Sequence, residues 1–169
     1  GLGLDLNRLY FTCFEGDENA PRDTETAALW MSLGVPESRI YFLGAEDNWW
    51  SPGENGPCGP DSEMFYDMTG KLGELSKDDF LDAVKCEDII EIWNDVFMEY
   101  EKRDGKVVGK LASKNVDTGA GLERISAVMQ GKTTAYDTDI FETIFTKIDE
   151  FSSTQLALTS DQQTKARRI

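Results

Sequence analysis

Asn94, Val96, Asp117 and Gly119 lie on two β-forming segments joined by Arg103-Asp104-Gly105-Lys106, and Asp-Gly is a strong hairpin signal. With the turn centred on Asp104-Gly105 and no bulge, Asn94 opposes Asn115, Val96 opposes Ser113 and Ile92 opposes Asp117. Directly opposed residues share a face and side chains alternate along each strand. Asn94, Val96, Asn115, Asp117 and Gly119 therefore fall together, with Asn94 and Asp117 as diagonal neighbours about 7–8 Å apart. A carboxylate, an amide, a compact apolar group and a bare stretch of backbone suit a small zwitterion. Asp117 would take an ammonium, Asn94 a carbonyl or carboxylate, and Val96 would bound an apolar stub. Gly119 would let a flat group lie against the strand. Arg124 follows near a helix N-terminus, where backbone N–H groups and the dipole favour anions. An ordinary hairpin with a solvated polar face would use the same residues, and the geometry by itself leaves both readings open.

The composition narrows the chemistry. The 169 residues suffice for one domain with a real core, and 40% hydrophobic with 29% charged residues is a globular balance. The net charge is −15 and there is no histidine. A surface this acidic repels phosphate backbones and anionic lipid, so nonspecific nucleic-acid or membrane binding by the whole chain is excluded. Without His there is no Ser–His or Cys–His nucleophile pair and no His-ligated zinc. Chemistry here must run on carboxylates, backbone groups, Lys/Arg and the ligand's own charge. Three cysteines, Cys13, Cys58 and Cys86, fit a reducing, cytoplasmic setting better than a disulfide framework. No apolar run reaches the length of a membrane span. The chain opens on Gly1 without Met and ends without a helix stop signal, as a piece of a longer protein would.

The elements that must position the hairpin residues follow from local pattern. Leu9 to Phe14 and Arg39 to Leu43 read as strands. Asp23 to Leu33 reads as a helix with a cap at Asp23 or Thr24 and a stop at Gly34. Asp47 to Gly59, rich in Pro, Gly and Asn, reads as a long loop carrying Trp49 and Trp50. Ser76 to Val84 is a short helix with Ser76 and Asp79 spaced as a capping box. Ile89 to Tyr100 and the return through Val107 towards Thr118 form the hairpin. A helix from Leu122 buries Leu122, Ile125, Val128 and Met129 and stops at Gly131. A last helix, Thr138 to Phe151, carries Ile140, Phe141, Ile144, Phe145, Ile148 and Phe151 as core.

Five blocks in order carry a resemblance that covers about Leu9 to Ile169. Val116 to Arg124 (VDTGAGLER) resembles motif 3 of class II aminoacyl-tRNA synthetases, in the form of the alanyl-specific family. Asp47-Asn48-Trp49-Trp50 resembles that family's DNFW element, and Gly56 to Glu63 (GPCGPDSE) its GPCGPCSE loop. Glu91 to Met98 (EIWNDVFM) resembles its EIWNxVFM strand, and Tyr136 to Phe141 (YDTDIF) its YDTDLF. The resemblance implies an α+β fold, a class II synthetase-like antiparallel sheet with flanking helices. Residues 1–151 would be the C-terminal half of the catalytic domain, and 152–169 a polar connector towards a helical tRNA-recognition region.

The resemblance also implies roles. Asp117 would bind the α-ammonium of alanine, Asn94 would sit beside the amino acid, Val96 would help wall the methyl pocket, and Trp50 would close over it. Gly119 and Arg124 would line the ATP site, the Arg124 guanidinium stacking on adenine. The implied substrates are alanine, ATP with Mg²⁺ as its complex, and tRNA(Ala); no zinc, metal-ligating residue or catalytic residue is implied in this segment. The reaction would be attack of the alanine carboxylate on the α-phosphate, then transfer to tRNA. Positioning and charge stabilisation carry such chemistry, so the absence of His is no obstacle. Motifs 1 and 2 have no counterpart before Leu9, so the isolated chain is expected not to form the adenylate. The family's second Cys in CGPC is Asp61 here, which removes a Cys-x-x-Cys reading. The alternative implied by the same pocket is a non-catalytic relative that binds an amino acid or nucleotide.

Overall fold

LYFTCF and IYFL are runs of aliphatic and aromatic residues without a charge, the composition of strands covered on both faces. They form β1 (Leu9–Phe14) and β2 (Ile40–Leu43). The computed structural model describes residues 2–153. Four further strands follow: β3 (Trp49–Trp50), β4 (Gly56–Asp67), β5 (Ile89–Arg103) and β6 (Lys106–Ala120). The sheet order is β2-β1-β4-β5-β6, with β3 paired to β4. Every pairing is antiparallel except β1 with β2, so the expected antiparallel sheet carries one parallel pair. The segment expected as a long loop thus holds β3 and the start of β4. Its Pro and Gly residues accompany irregular pairing between Cys58 and Asp61, not the absence of a strand.

Two helices pack on opposite faces of this sheet because successive β1 side chains alternate. On one face Tyr10, Tyr41, Phe65 and Ile89 enclose Phe80 of α2 (Lys77–Lys85). The Phe80 ring stacks on Tyr41 at 4.3 Å and meets Phe65 edge-on at 5.2 Å. On the other face Phe11, Cys13 and Ile40 pack with Ala27 of α1 (Thr24–Ser32) and with Trp30. Both helices start as their sequences require. The Asp23 carboxylate accepts from Thr26 N–H, and the Ser76 hydroxyl accepts from Asp79 N–H. Cys58 and Trp49 are packing residues: Cys58 is fully buried with Phe14 and Tyr100, and the Trp49 ring meets both of those rings.

The β5–β6 turn has positive φ at Asp104 and Gly105, as an Asp-Gly turn of this kind demands. Next to the turn the register is the unbulged one, Arg103 opposite Lys106 and Lys102 opposite Val107. It then shifts twice. Val108 is extra between Lys102–Val107 and Glu101–Gly109, and between Tyr100–Lys110 and Met98–Asn115 β6 carries Leu111 to Lys114 against Glu99 alone. Lys114 in this second irregularity reaches the Glu99 carboxylate at 2.8 Å. The expected pairs Asn94–Asn115, Val96–Ser113 and Ile92–Asp117 are therefore not formed. Asn94 opposes Gly119, Val96 opposes Asp117 and Met98 opposes Asn115.

The chain divides into two compact units, one running to Gly121 and one beginning at Leu122. The second unit holds α3 (Leu122–Gln130) and α4 (Asp139–Ser153). Gly131, at φ +63°, donates to the Val128 carbonyl and ends α3. The Gln130 side chain then caps α4 by accepting from Asp139 N–H. Tyr136 packs on Phe141 and Phe145. Of the rest of the expected apolar helix faces, Ile125 and Val128 are half-buried, while Leu122, Met129, Ile140, Ile144, Ile148 and Phe151 are exposed. Helical spacing identifies such a stripe but not what covers it. The polar connector expected over 152–169 lies outside the described residues from 154 onwards.

Candidate functional site

The two register shifts move β6 by an even number of residues in total, so every β6 side chain beyond them keeps the face expected for it. Asn94, Val96, Asp117 and Gly119 share one face of β5–β6 as two rungs, Val96–Asp117 and Asn94–Gly119. Asn94 and Asp117 remain diagonal neighbours, about 7–8 Å apart. Val96 is buried, Asn94 half-buried, and Asp117 exposed at the rim. Asp117 accepts from Thr118 N–H through Oδ1 at 2.9 Å. An ideal Cβ built on Gly119 meets nothing within 4 Å, so the strand surface there is open.

The rungs extend onto β4, whose first residues the sequence pattern assigns to a loop. Asp61 pairs with Val96 and Glu63 with Asn94, so both acids stand on the same face. Asp61 is buried at 3% exposure. The Asn94 amide donates to Asp61 Oδ2 and Glu63 Oε1, each at 3.4 Å. Asn48, fully buried, donates to Asp61 Oδ1 at 3.0 Å and to Thr12 Oγ1 at 2.8 Å. Burial pushes the Asp61 carboxyl up to about 6, against the pull of the Asn48 and Asn94 hydrogen bonds. Burial, then the charges of Glu91, Asp61 and Asp47, push Glu63 up to about 8. Sequence reasoning places neither acid in the amino-acid site. The signal that could have done so is the alternation of Asp61, Glu63 and Phe65 against Ser62, Met64 and Tyr66.

Trp50 pairs with Gly59, two residues along β4 from Asp61, and is partly exposed. A Cβ on Gly59 would run into the Phe97 carbonyl, so only glycine allows β4 this close to β5. Asp95, expected to meet solvent on the opposite face, is half-buried and accepts from the Trp93 indole N–H at 3.3 Å. Arg124 is exposed in the first turn of α3, in the second unit. The first unit thus brings together Asn94, Val96, Asp117 and Gly119, and Arg124 belongs to the other. Among the described residues no group of three or more Cys, Asp or Glu has metal-holding geometry, and no helix is long and apolar enough to cross a membrane.

The family model for tRNA synthetases class II (A) matches residues 1–169. The chain belongs to that family. It is 46% identical over 169 residues to the alanine–tRNA ligase of Treponema denticola, covering 99% of this chain and 28% of that protein. It is 44% identical over 177 residues to the alanine–tRNA ligase of Rubrobacter xylanophilus, covering 100% of this chain and 20% of that protein. The cytoplasmic alanine–tRNA ligase of Caenorhabditis elegans is 44% identical over 154 residues, 89% of this chain and 15% of its own length. The chain thus spans under a third of the length of each of these relatives. A mostly antiparallel sheet accompanied by helices is consistent with a segment of a class II synthetase.

Proposed function

We propose that this chain supplies the alanine pocket and part of the ATP site of an alanine–tRNA ligase. The whole enzyme would activate alanine with Mg²⁺-ATP, releasing pyrophosphate, and pass it from the adenylate to tRNA(Ala). Asp117 would hold the α-ammonium, Asn94 the carboxyl end, and Val96 would bound the methyl group, with Trp50 closing over them. Gly119 would leave room for the nucleotide, and Arg124 would stack on adenine. Mg²⁺ would arrive with ATP as the substrate complex. Motifs 1 and 2, expected from elsewhere in the full protein, would complete the phosphate site, so residues 1–151 are half of a catalytic domain in this reading.

The observation that carries it is the joint placement of Asn94, Val96, Asp117 and Gly119 on one face, in a chain of this family. The pocket would discriminate weakly, since an apolar site rejects an isostere with an added hydroxyl by only about 10²-fold. Calorimetry with a non-hydrolysable alanyl-adenylate analogue tests the reading, comparing the chain with Asp117→Ala. A hydrogen bond between charged groups is worth about 1.5–3 kcal/mol, so the substitution should weaken binding about 10- to 150-fold. Equal binding by both would sink the assignment.

A further inference from the structure

The buried Asp61 carboxylate is met by two amides from different parts of the chain. Its Oδ1 accepts from Asn48 at 3.0 Å and its Oδ2 from Asn94 at 3.4 Å. The β3–β4 register, carried one step past Trp49–Pro60, sets Asn48 opposite Asp61, and the Asp61 N–H donates to the Asn48 carbonyl at 3.2 Å. Val96 stands opposite Asp61 on its other side, and Asp117 opposite Val96. Asn48, Asp61, Val96 and Asp117 thus form one row across the sheet, and Trp50–Gly59 is a rung of the same face. An ionised carboxylate only accepts, so each amide turns its NH₂ to Asp61. A neutral amide of the same shape has one oxygen for the two donors and could not hold both. Burying a carboxylate is costly, and the sequence places one here where the pattern it resembles has Cys.

We propose that Asp61 is a positioning residue of the amino-acid site, its two oxygens coupling Asn94 on β5 to the turn that sets Trp50. That the site takes an amino acid rests on the function proposed above; the coupling does not. Asn48 lies two residues before Trp50, so tying its side chain and its carbonyl to Asp61 fixes where β3 begins. Beyond Trp50 the chain is tied to the β5–β6 turn. Lys102 Nζ donates to Ser51 Oγ at 3.1 Å, Gly105 N–H to the Glu54 carbonyl at 3.0 Å, and Asp104 N–H to Asn55 Oδ1 at 3.0 Å. Trp50 is therefore tethered on both sides, and Asp61 supplies the tether that also touches the site. Each amide has a second acceptor, Thr12 for Asn48 and Glu63 for Asn94, so losing one Asp61 bond loosens these groups without freeing them.

Asp61→Asn keeps the shape and removes one acceptor. In the full chain, affinity for the alanyl-adenylate analogue should fall about tenfold by calorimetry. The indole N–H resonance of Trp50, assigned with Trp50→Phe, should move in the ligand-free NMR spectrum. Adding Asn48→Asp exchanges the two side chains. The amide then on β4 donates to the carboxylate before β3 and accepts from Asn94, and the Thr12 hydroxyl donates where it accepted. This double variant should recover the affinity to within about threefold and return the Trp50 resonance towards its parent position. A residue that only fills space would leave affinity alike in all three chains. Equal affinity in Asp61→Asn and the parent, or a loss that the exchange leaves in place, would overturn the proposal. Should either variant fail to fold, the other decides: an unmoved Trp50 resonance in Asp61→Asn, or a tenfold loss in the exchanged chain, overturns it as well. Absence of binding by the parent would refute the proposed site, while the Trp50 resonance would still decide the coupling.

Discussion

Replacing Glu63 by Gln should flatten the dependence of stability on pH between 6 and 8. In the folded chain burial raises the Asp61 carboxyl to about 6 and, with the nearby acidic charges, the Glu63 carboxyl to about 8. Unfolded carboxyls ionise near 4. Between pH 6 and 8 the native state therefore holds about one proton that the unfolded state has released. Stability then falls as pH rises, by about 1.4 kcal/mol per unit while that proton is held. Over the window the loss is about 2–3 kcal/mol, a large part of a marginal total. At about 2–4 °C per kcal/mol for a chain of this size, Tm should drop by about 5–10 °C. The chain has no His, so the ordinary source of titration in this range is missing and the window is unusually clear. The stabilisation from proton uptake is fully present below about pH 4 and is gone above about pH 8. Thermal unfolding at pH 6, 7 and 8 at constant ionic strength is the assay. A Tm that is level or rising from pH 6 to 8, or a slope in Glu63→Gln as steep as the parent's, would rule out a proton held by Glu63 in this range.

Three substitutions separate the site from its scaffold. Gly119→Ala should leave Tm within about 2 °C, because the added methyl meets nothing, yet weaken the adenylate analogue at least about tenfold by occupying the open surface. An unchanged affinity by calorimetry would remove Gly119 from the nucleotide site. Gly59→Ala drives a methyl into the Phe97 carbonyl and should cost more than about 2 kcal/mol in denaturant unfolding, or abolish folding. Phe80→Ala empties the centre of the cluster made by Tyr10, Tyr41 and Phe65 and should cost about 3–5 kcal/mol by the same measurement. A loss under about 1 kcal/mol would show that α2 contributes little to that core.

Much of the scaffold is legible in the sequence because its signals are local. Asp23, Ser76 and Gly131 mark helix ends through their own side-chain or backbone chemistry, and Asp104-Gly105 fixes the turn through positive φ. Burial of the second unit is not legible, since the stripe Ile140, Ile144, Ile148 and Phe151 has the period of a covered face and is exposed here. Amphipathic spacing says which side of a helix needs a partner; the partner is a property of the assembly.

The site shows a different limit. The unbulged register is displaced by four residues at Asn94, yet it assigns the right residues to its face. Side-chain direction repeats every two residues, so an even displacement preserves faces while changing every neighbour. An odd displacement, such as Val108 alone would produce, would put Asp117 and Gly119 on the far side from Asn94. The three further residues on β6 between Lys110 and Asn115 restore the parity. Asp61 and Glu63 escape for the opposite reason. Pro57, Gly59 and Pro60 are the residue types that ordinarily end strands, and here they accompany a strand whose irregular stretch lets it approach β5 closely. Punctuation that reads as a loop conceals the two acids that stand against Asn94. The same glycine and prolines therefore explain both why β4 is hard to see in the sequence and how its carboxylates come to lie under the hairpin.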